Sequence, residues 1–244
     1  IGDRIATTGI GAFGEKMAAQ DSMTFLVPPG MNNVDAAAIR IIYETSYMAI
    51  KYKAQMQPGE VLLVHGGAGG VGTSAIQVGK ALGGMVIATA TGERDIKVCF
   101  DTGADHVIDW QNEDIVTRVK ELTDGRGADV IYDPVGGDAF DASTHCINFE
   151  GRLIVIGFAS GRIPEIKGHM ILNKNMSVMG FFWTNYLFKR PDLVDDYQDE
   201  INRLYLEGKF PPVVSAVLPM TDLPKSLDMI TNRDAYGKIV LVNE

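Results

Sequence analysis

The sequence predicts an α/β fold, a doubly wound parallel sheet covered by helices on both faces. Between residues 43 and 208, short apolar runs alternate with segments in which apolar residues recur at helical spacing. One apolar run, at residues 61–64, breaks into glycines and is followed at once by an amphipathic helix. Strands alternating with helices favour a parallel sheet, whose loops after the strands meet at one edge and form the expected ligand crevice.

Each predicted element has a local signal. The strands are the apolar runs at residues 61–64, 85–90, 107–108, 129–132 and 152–156. The helices between them lie at residues 71–82, 93–102, 113–122 and 139–147. In the first helix, Val71, Ala75 and Val78 share one face. Gly103 and Gly125 follow the second and third helices, as expected of residues that end a helix.

The flanks of this region have a different pattern. Residues 1–42 hold short strand-like pieces at 4–7 and 25–27. Residues 209–244 hold a strand at 213–218, a helix at 223–231 and a final strand at 238–242. We therefore predict a nucleotide-binding domain at 43–208 that interrupts a second unit formed by the two flanks.

Composition excludes several classes of protein. The net charge of −9 among 244 residues, with no local basic stripe, argues against a nucleic-acid partner. No run of about 18 apolar residues occurs, so we expect no membrane span. Cys99 and Cys146 are far apart, which fits a reducing compartment. We predict a cytoplasmic protein, and a mitochondrial location stays open because an upstream targeting segment would lie outside this sequence.

The glycine run is the most informative motif. Gly67, Gly69 and Gly72 have the spacing G-x-G-x-x-G between a strand and a helix, which is the context of dinucleotide binding. The glycines permit a tight turn, close approach of a pyrophosphate, and close helix–strand packing. The helix N–H groups then face the phosphates, so Gly69, Gly70 and Val71 are predicted contacts. The alternative is a glycine-rich turn without a ligand.

The second predicted strand indicates which dinucleotide binds. NAD-binding folds place an acid about 20 residues after the glycines, but here the strand ends neutrally at Thr91 and the first acid is Glu93. Arg94 and Lys97 follow and can donate to a 2′-phosphate. The alternative is that both are ordinary solvated helix charges. We predict NADPH, with NADH as the weaker candidate.

Later strands predict the nicotinamide end of the crevice. Their carboxyl ends carry Val135 and the segment Gly157, Phe158 and Ala159. Glycine at such a position lets the backbone approach a ribose or a carboxamide closely.

Histidines and cysteines do not form a metal-site pattern. The four histidines are scattered and none is spaced from another ligand type as in a helical metal site. His145 and Cys146 are adjacent, which directs their side chains apart on a helix. We predict no metal.

Five motifs, in order, carry a family resemblance. They lie at residues 66–72, 103–109, 132–137, 151–159 and 237–240. Together they resemble the zinc-free quinone oxidoreductase branch of the medium-chain dehydrogenase/reductase superfamily. The resemblance implies a Rossmann domain with remnants of a mainly-β catalytic domain at 1–42 and 209–244, and most of that N-terminal domain missing from this sequence.

The resemblance also implies further site residues. Thr45 and Trp183 would lie near the nicotinamide ring, and Arg233 resembles an arginine that reaches the 2′-phosphate in some relatives. Relatives often carry lysine at the Asp95 position and tyrosine at the Trp110 position, and this chain departs at both. Trp110 is included among the predicted cofactor contacts.

The reaction implied is hydride transfer from NADPH to a quinone or another α,β-unsaturated carbonyl, without zinc. No residue is a strong candidate for the proton donor. A segment containing Met170, Met176 and Met179 resembles a dimer-forming edge, which predicts a homodimer, although core packing explains it equally well. The alternatives are a non-catalytic, NADPH-binding truncated isoform or redox-sensing partner, and an enoyl-reductase module of a larger synthase.

Overall fold

The structure, a computed structural model, describes residues 1–243, apart from the side chain of Ser22. It contains two compact units, Thr45–Phe182 and a unit that joins Ile1–Glu44 to the chain from Trp183 onward. In this division residues 183–208 group with the flanks, whereas the sequence places the end of the nucleotide-binding domain at 208, and that domain boundary stays a prediction. Their contacts explain the difference, because the Trp183 indole N–H donates to Glu44 and the Tyr205 hydroxyl donates to Asp35 at 2.6 Å.

The unit that contains both flanks has two small sheets and several helices. Its strands are β1 (Ile5–Thr7), β2 (Thr24–Leu26), β9 (Val214–Pro219) and β10 (Lys238–Val242). Strands β1 and β2 pair antiparallel, whereas β9 and β10 pair parallel. Its helices are α7 (Trp183–Lys189), α8 (Pro191–Leu206), α9 (Leu223–Thr231) and the first part of α1 (Asn33–Tyr47). That this unit is a catalytic domain remnant stays a prediction.

The Thr45–Phe182 unit contains one six-stranded sheet. Its strands are β3 (Val61–Val64), β4 (Met85–Ala90), β5 (His106–Asp109), β6 (Ala128–Asp133), β7 (Ile147–Val155) and β8 (Ser177–Gly180). They run in the order β5-β4-β3-β6-β7-β8 and every pair is parallel. The predicted doubly wound parallel sheet is confirmed. The strand order reverses between β3 and β6, and ligands of such folds bind at that point, outside the carboxyl ends of the strands.

Helices connect the strands, as the alternating sequence pattern predicted. They are α2 (Gly70–Ala81), α3 (Gly92–Thr102), α4 (Ile115–Leu122), α5 (Gly137–Cys146) and α6 (Gly168–Lys174), and a π-helical segment (Met48–Lys53) continues α1. Gly103 ends α3 with a left-handed φ of 112°, where a side chain would be strained. Asp114 begins α4 by accepting from the Thr117 N–H at 2.8 Å.

The core of this unit explains why its strands read as continuous apolar runs. Both faces of the sheet are covered, so Leu62, Leu63, Val130 and Ile131 are all fully buried.

None of the helices in the described part of the chain combines the length and apolar character that a membrane crossing requires.

Arg152, at the edge of the sheet opposite the predicted crevice, forms hydrogen bonds with residues of two other segments. Its guanidinium donates to both Glu60 carboxylate oxygens, at 2.9 and 2.6 Å, and to the Ala54 carbonyl at 3.0 Å. We expect Arg152→Ala to lower the free energy of unfolding by about 1–3 kcal/mol, because this half-buried bidentate pair leaves a carboxylate without its partner. Urea unfolding measures it.

Arg203→Ala is the matched control, because its pair with Glu207 is exposed, and it should cost less than about 1 kcal/mol. Equal stability of the two variants would show that the Arg152 pair contributes no more than a surface ion pair.

Candidate functional site

The glycine loop between β3 and α2 forms a helix N-terminus without a side-chain cap. The loop turns at Gly66, where φ is 60°, and the Gly69 N–H donates to the Gly66 carbonyl at 3.0 Å. Gly69 is the N-cap residue, and the first intrahelical bond runs from the Thr73 N–H to the Gly69 carbonyl at 2.8 Å. The N–H groups of the first turn, in Gly70, Val71 and Gly72, therefore remain available to an anion.

The three positions of the motif differ in how strictly they require glycine. A Cβ on Gly72 would lie 2.2 Å from the Gly66 carbonyl oxygen, and a Cβ on Gly67 would lie 2.7 Å from the Cys99 sulfur. A Cβ on Gly69 would meet nothing nearer than 3.4 Å. The fold thus requires glycine at 67 and 72, whereas at Gly69 the absent side chain leaves open space in front of the N–H groups.

A buried polar group supports the loop from below. Thr89, near the end of β4, accepts from the Gly66 and Gly67 N–H groups at 3.2 and 2.8 Å. His65 is fully buried, and its ring nitrogens lie 3.3 Å from the Thr89 hydroxyl and 2.8 Å from the Ser143 hydroxyl. Burial lowers the pKa of His65, so the ring is neutral and acts as a support for the loop.

The predicted 2′-phosphate donors lie on α3, but both have acidic partners. Thr91 is the N-cap residue of α3 and no side chain caps this end. The Arg94 Nε lies 2.8 Å from Asp95, and the Lys97 Nζ lies 2.5 Å from Asp101. Each cation is largely exposed, so exchange of a carboxylate for a phosphate requires only a side-chain movement. Neither pair was identified from the sequence, although the i, i+4 spacing of Lys97 and Asp101 is a readable signal; the adjacent Arg94 and Asp95 have no such spacing.

The loops after β6 and β7 are bonded to each other. The Asp133 carboxylate accepts from the Val135 and Gly136 N–H groups at 2.8 and 2.9 Å. The Ala159 N–H donates to the Pro134 carbonyl at 3.1 Å. These bonds bring the predicted residues Val135 and Ala159 together at the crevice. Asp133 was missed, although an acid ending a buried strand is a readable signal.

The other predicted residues of the Thr45–Phe182 unit differ in their exposure. Trp110, after β5, and Phe158, after β7, are about half exposed at the carboxyl edge of the sheet, and Gly157 precedes Phe158. Thr45 is buried, and its neighbour Ser46 bonds to the Val71 carbonyl at 3.1 Å, which places Thr45 beside the first turn of α2.

The two remaining predicted residues belong to the other unit. Arg233 follows α9 with a φ of 60°. Trp183 is buried, and its indole N–H donates to Glu44 of the same unit; its place near the nicotinamide ring stays a prediction. Its indole, a donor, is satisfied there.

The buried Glu44 carboxyl group, which accepts from Trp183, makes the stability of the protein depend on pH. Burial raises its pKa to about 7, despite the opposing attraction of Arg40, and Asp195 adds to the rise. The folded state then binds more protons than the unfolded state between about pH 4.5 and 7, so stability falls as pH rises through this window. In the wild-type protein we expect the free energy of unfolding to fall by roughly 1–3 kcal/mol between about pH 5 and pH 8 because of Glu44. This decline should be absent in Glu44→Gln.

Urea unfolding at the two pH values measures this effect, with the exposed Glu165→Gln as the control. An unchanged difference between the two pH values in Glu44→Gln would exclude Glu44 as its source.

The donor set does not fit a catalytic zinc ion. Among residues 1–243, no three histidine, cysteine or acidic side chains lie close enough to hold a metal. Burial raises the thiol pKa of both Cys99 and Cys146 to about 12, so neither offers a thiolate.

Comparisons with known proteins agree with this architecture. Residues 70–205 match the family model described as zinc-binding dehydrogenase. The quinone oxidoreductase-like protein 2 homolog of Nematostella vectensis is 33% identical over 95% of this chain, which spans 64% of that protein's length. The quinone oxidoreductase-like protein 2 of Bos taurus is 28% identical over 98% of this chain and 69% of its own length.

Solved structures show the same relationship. A probable oxidoreductase from Mycobacterium abscessus has a TM-score of 0.88 and 32% identity, covering 98% of this chain and 72% of that one. Escherichia coli quinone oxidoreductase complexed with NADPH has a TM-score of 0.91 and 26% identity, covering 98% and 75%. With the family model matching more than half of the sequence, this chain belongs to the zinc-binding dehydrogenase family, in the quinone oxidoreductase branch of the medium-chain dehydrogenase/reductase superfamily.

Proposed function

We propose that this chain binds NADPH and transfers its hydride to a quinone or another α,β-unsaturated carbonyl without zinc. The uncapped first turn of α2 behind the open space at Gly69 is the observation that carries the proposal. A dianionic pyrophosphate fits such a helix N-terminus. The NADPH complex of the similar Escherichia coli enzyme supports the choice of cofactor.

The rest of the cofactor can be assigned along the edge of the sheet. Arg94 and Lys97 would hold the 2′-phosphate after releasing their carboxylate partners, through charge-assisted hydrogen bonds. Trp110 offers a half-exposed ring to the adenine. The bonded loops at Val135 and Ala159, with Thr45, would hold the nicotinamide end. NADPH bound there supplies a hydride from its C4 atom.

The substrate class follows from what the described residues lack. Among residues 1–243 no cluster of metal ligands is present to polarise a carbonyl, and conjugated carbonyls, which are already electrophilic, are the substrates that fit this feature. His65 is buried, neutral and bonded to Ser143, so it does not donate the proton.

Two further properties are proposals. A homodimer could form through β8, because this strand is at the edge of the sheet and its outer side is unpaired within the described chain. We also propose a cytoplasmic location, since both cysteines are free thiols.

Titration with NADPH and NADH, followed by nicotinamide fluorescence and then by adding a quinone, tests the function. We expect tighter binding of NADPH and its oxidation by the quinone. Binding without oxidation would favour a non-catalytic cofactor-binding protein. Absence of binding to either cofactor would contradict the proposal.

Arg94→Ala tests the cofactor preference. It should weaken NADPH binding about tenfold and leave NADH binding unchanged, because only NADPH carries the 2′-phosphate. Arg126→Ala, an exposed arginine at the opposite edge of the sheet, is the matched control. Equal loss for both cofactors in Arg94→Ala would place the arginine elsewhere than at the 2′-phosphate.

A further inference from the structure

Three buried hydroxyl groups meet beneath the first turn of α2. The Ser46 oxygen lies 2.8 Å from the Ser74 oxygen and 3.0 Å from the Tyr132 oxygen, and Ser46 donates to the Val71 carbonyl at 3.1 Å. All three side chains are fully buried. We name Ser46, Ser74 and Tyr132 the hydroxyl cluster. It joins the end of α1, the start of α2 and the end of β6.

Each hydroxyl of the cluster has one hydrogen, which limits the directions in which the bonds can run. The Ser46 hydrogen goes to the Val71 carbonyl or to Ser74, and in both arrangements Ser46 accepts from Tyr132. Burial raises the pKa of the Tyr132 phenol, which therefore keeps its proton to donate. Ser74 donates to either Ser46 or the Val71 carbonyl, both of which lie within reach. In each arrangement a chain of hydrogen bonds runs from Tyr132 through Ser46 to the Val71 carbonyl, either directly or by way of Ser74.

This chain of hydrogen bonds controls the direction of a donor at the candidate site. The Val71 carbonyl and the Gly72 N–H belong to one planar trans peptide, in which they point in opposite directions. A hydroxyl that fixes the carbonyl therefore fixes the aim of the Gly72 N–H. That N–H is one of the three at the uncapped start of α2.

Two members of the hydroxyl cluster are adjacent in the chain to residues at the other end of the candidate site. Ser46 directly follows Thr45 in the chain. Tyr132 directly precedes Asp133, whose carboxylate holds the Val135 and Gly136 N–H groups. One buried hydrogen-bonded group thus links the pyrophosphate end and the nicotinamide end of the crevice.

We infer that Ser46 and Tyr132 are positioning residues for the dinucleotide, acting through the Val71–Gly72 peptide; this inference rests on the proposed function. The test measures the dissociation constant of NADPH for Ser46→Ala, Tyr132→Phe and the double variant, together with their thermal unfolding midpoints. Tyr205→Phe is the control, because it also removes a tyrosine hydrogen bond but one formed with Asp35.

We expect Ser46→Ala to raise the dissociation constant about three- to tenfold, with a smaller rise for Tyr132→Phe. The double variant should equal Ser46→Ala, because both substitutions interrupt one chain of bonds. KM for NADPH should rise while kcat changes little. Tyr205→Phe should keep the wild-type dissociation constant even if its unfolding midpoint falls.

Lower unfolding midpoints with unchanged dissociation constants would overturn the inference, since they would show a purely structural role. So would equal weakening in Tyr205→Phe. If the wild-type chain binds NADPH and the variants bind equally well, only the inference fails. If the wild-type chain binds no dinucleotide, the proposed function fails and the inference fails with it.

Discussion

Gly72→Ala is expected to destabilise the protein by about 3 kcal/mol or more. Alanine is the better helix former by about 1 kcal/mol, so propensity alone predicts a gain. The added Cβ, however, would lie 2.2 Å from the Gly66 carbonyl oxygen and 2.8 Å from the Gly67 Cα. Both are backbone atoms, which cannot rotate away, and overpacking of this kind costs more than propensity returns. Urea unfolding measures the loss.

Gly69→Ala is the matched substitution, and we expect it to weaken NADPH binding while it leaves stability nearly unchanged. Its φ of −74° and ψ of 170° suit alanine, and the new Cβ would meet only the Gly66 carbonyl oxygen at 3.4 Å. Stability should therefore change by less than about 1 kcal/mol. NADPH binding should weaken about tenfold or more, because the methyl group enters the space that the pyrophosphate requires. A stable Gly69→Ala variant with wild-type NADPH affinity would contradict this account of the loop.

Asp133→Ala should have the second large effect, a loss of roughly 2–4 kcal/mol. One oxygen of the carboxylate accepts from both the Val135 and the Gly136 N–H groups, and alanine leaves these two donors without an acceptor. Because these residues begin the loop that lies at the crevice, NADPH affinity should fall as well.

Asp133→Asn separates the hydrogen bonds from the charge. Asparagine keeps one carbonyl oxygen for the two N–H groups, so it should lose less than half as much stability as alanine. The second carboxylate oxygen of Asp133 is buried and makes no hydrogen bond within the described structure, so its replacement breaks none. Equal losses in the two variants, measured by urea unfolding, would show that the buried charge is what stabilises this loop.

The features that could be predicted from the sequence depend on local patterns. The strand at 61–64, the glycine spacing after it and the helix-ending Gly103 each act within a few residues, and the parallel sheet follows from their alternation. Features formed by distant residues could not be predicted. The grouping of residues 183–208 with the flanks involves contacts such as the bond between Glu44 and Trp183, which are 139 positions apart.

The same reason explains what was missed at the candidate site. Periodicity marks Ser46 and Tyr132 as interior positions, but it does not show that their hydroxyls meet across 86 positions. Arg94 was identified as a phosphate donor from its charge and its position just after the neutral end of β4, and its pair with Asp95 depends on a side-chain rotamer that no pattern specifies.

Amide proton–nitrogen correlation spectra, recorded while NADPH is added, test the central claim most directly. The claim is that the first-turn N–H groups of α2 bind the cofactor's pyrophosphate. We predict that the Gly70, Val71 and Gly72 amide signals show the largest changes in the Thr45–Phe182 unit, and that these changes are lost in Gly69→Ala. NADPH binding that leaves these three signals unchanged would contradict the claim.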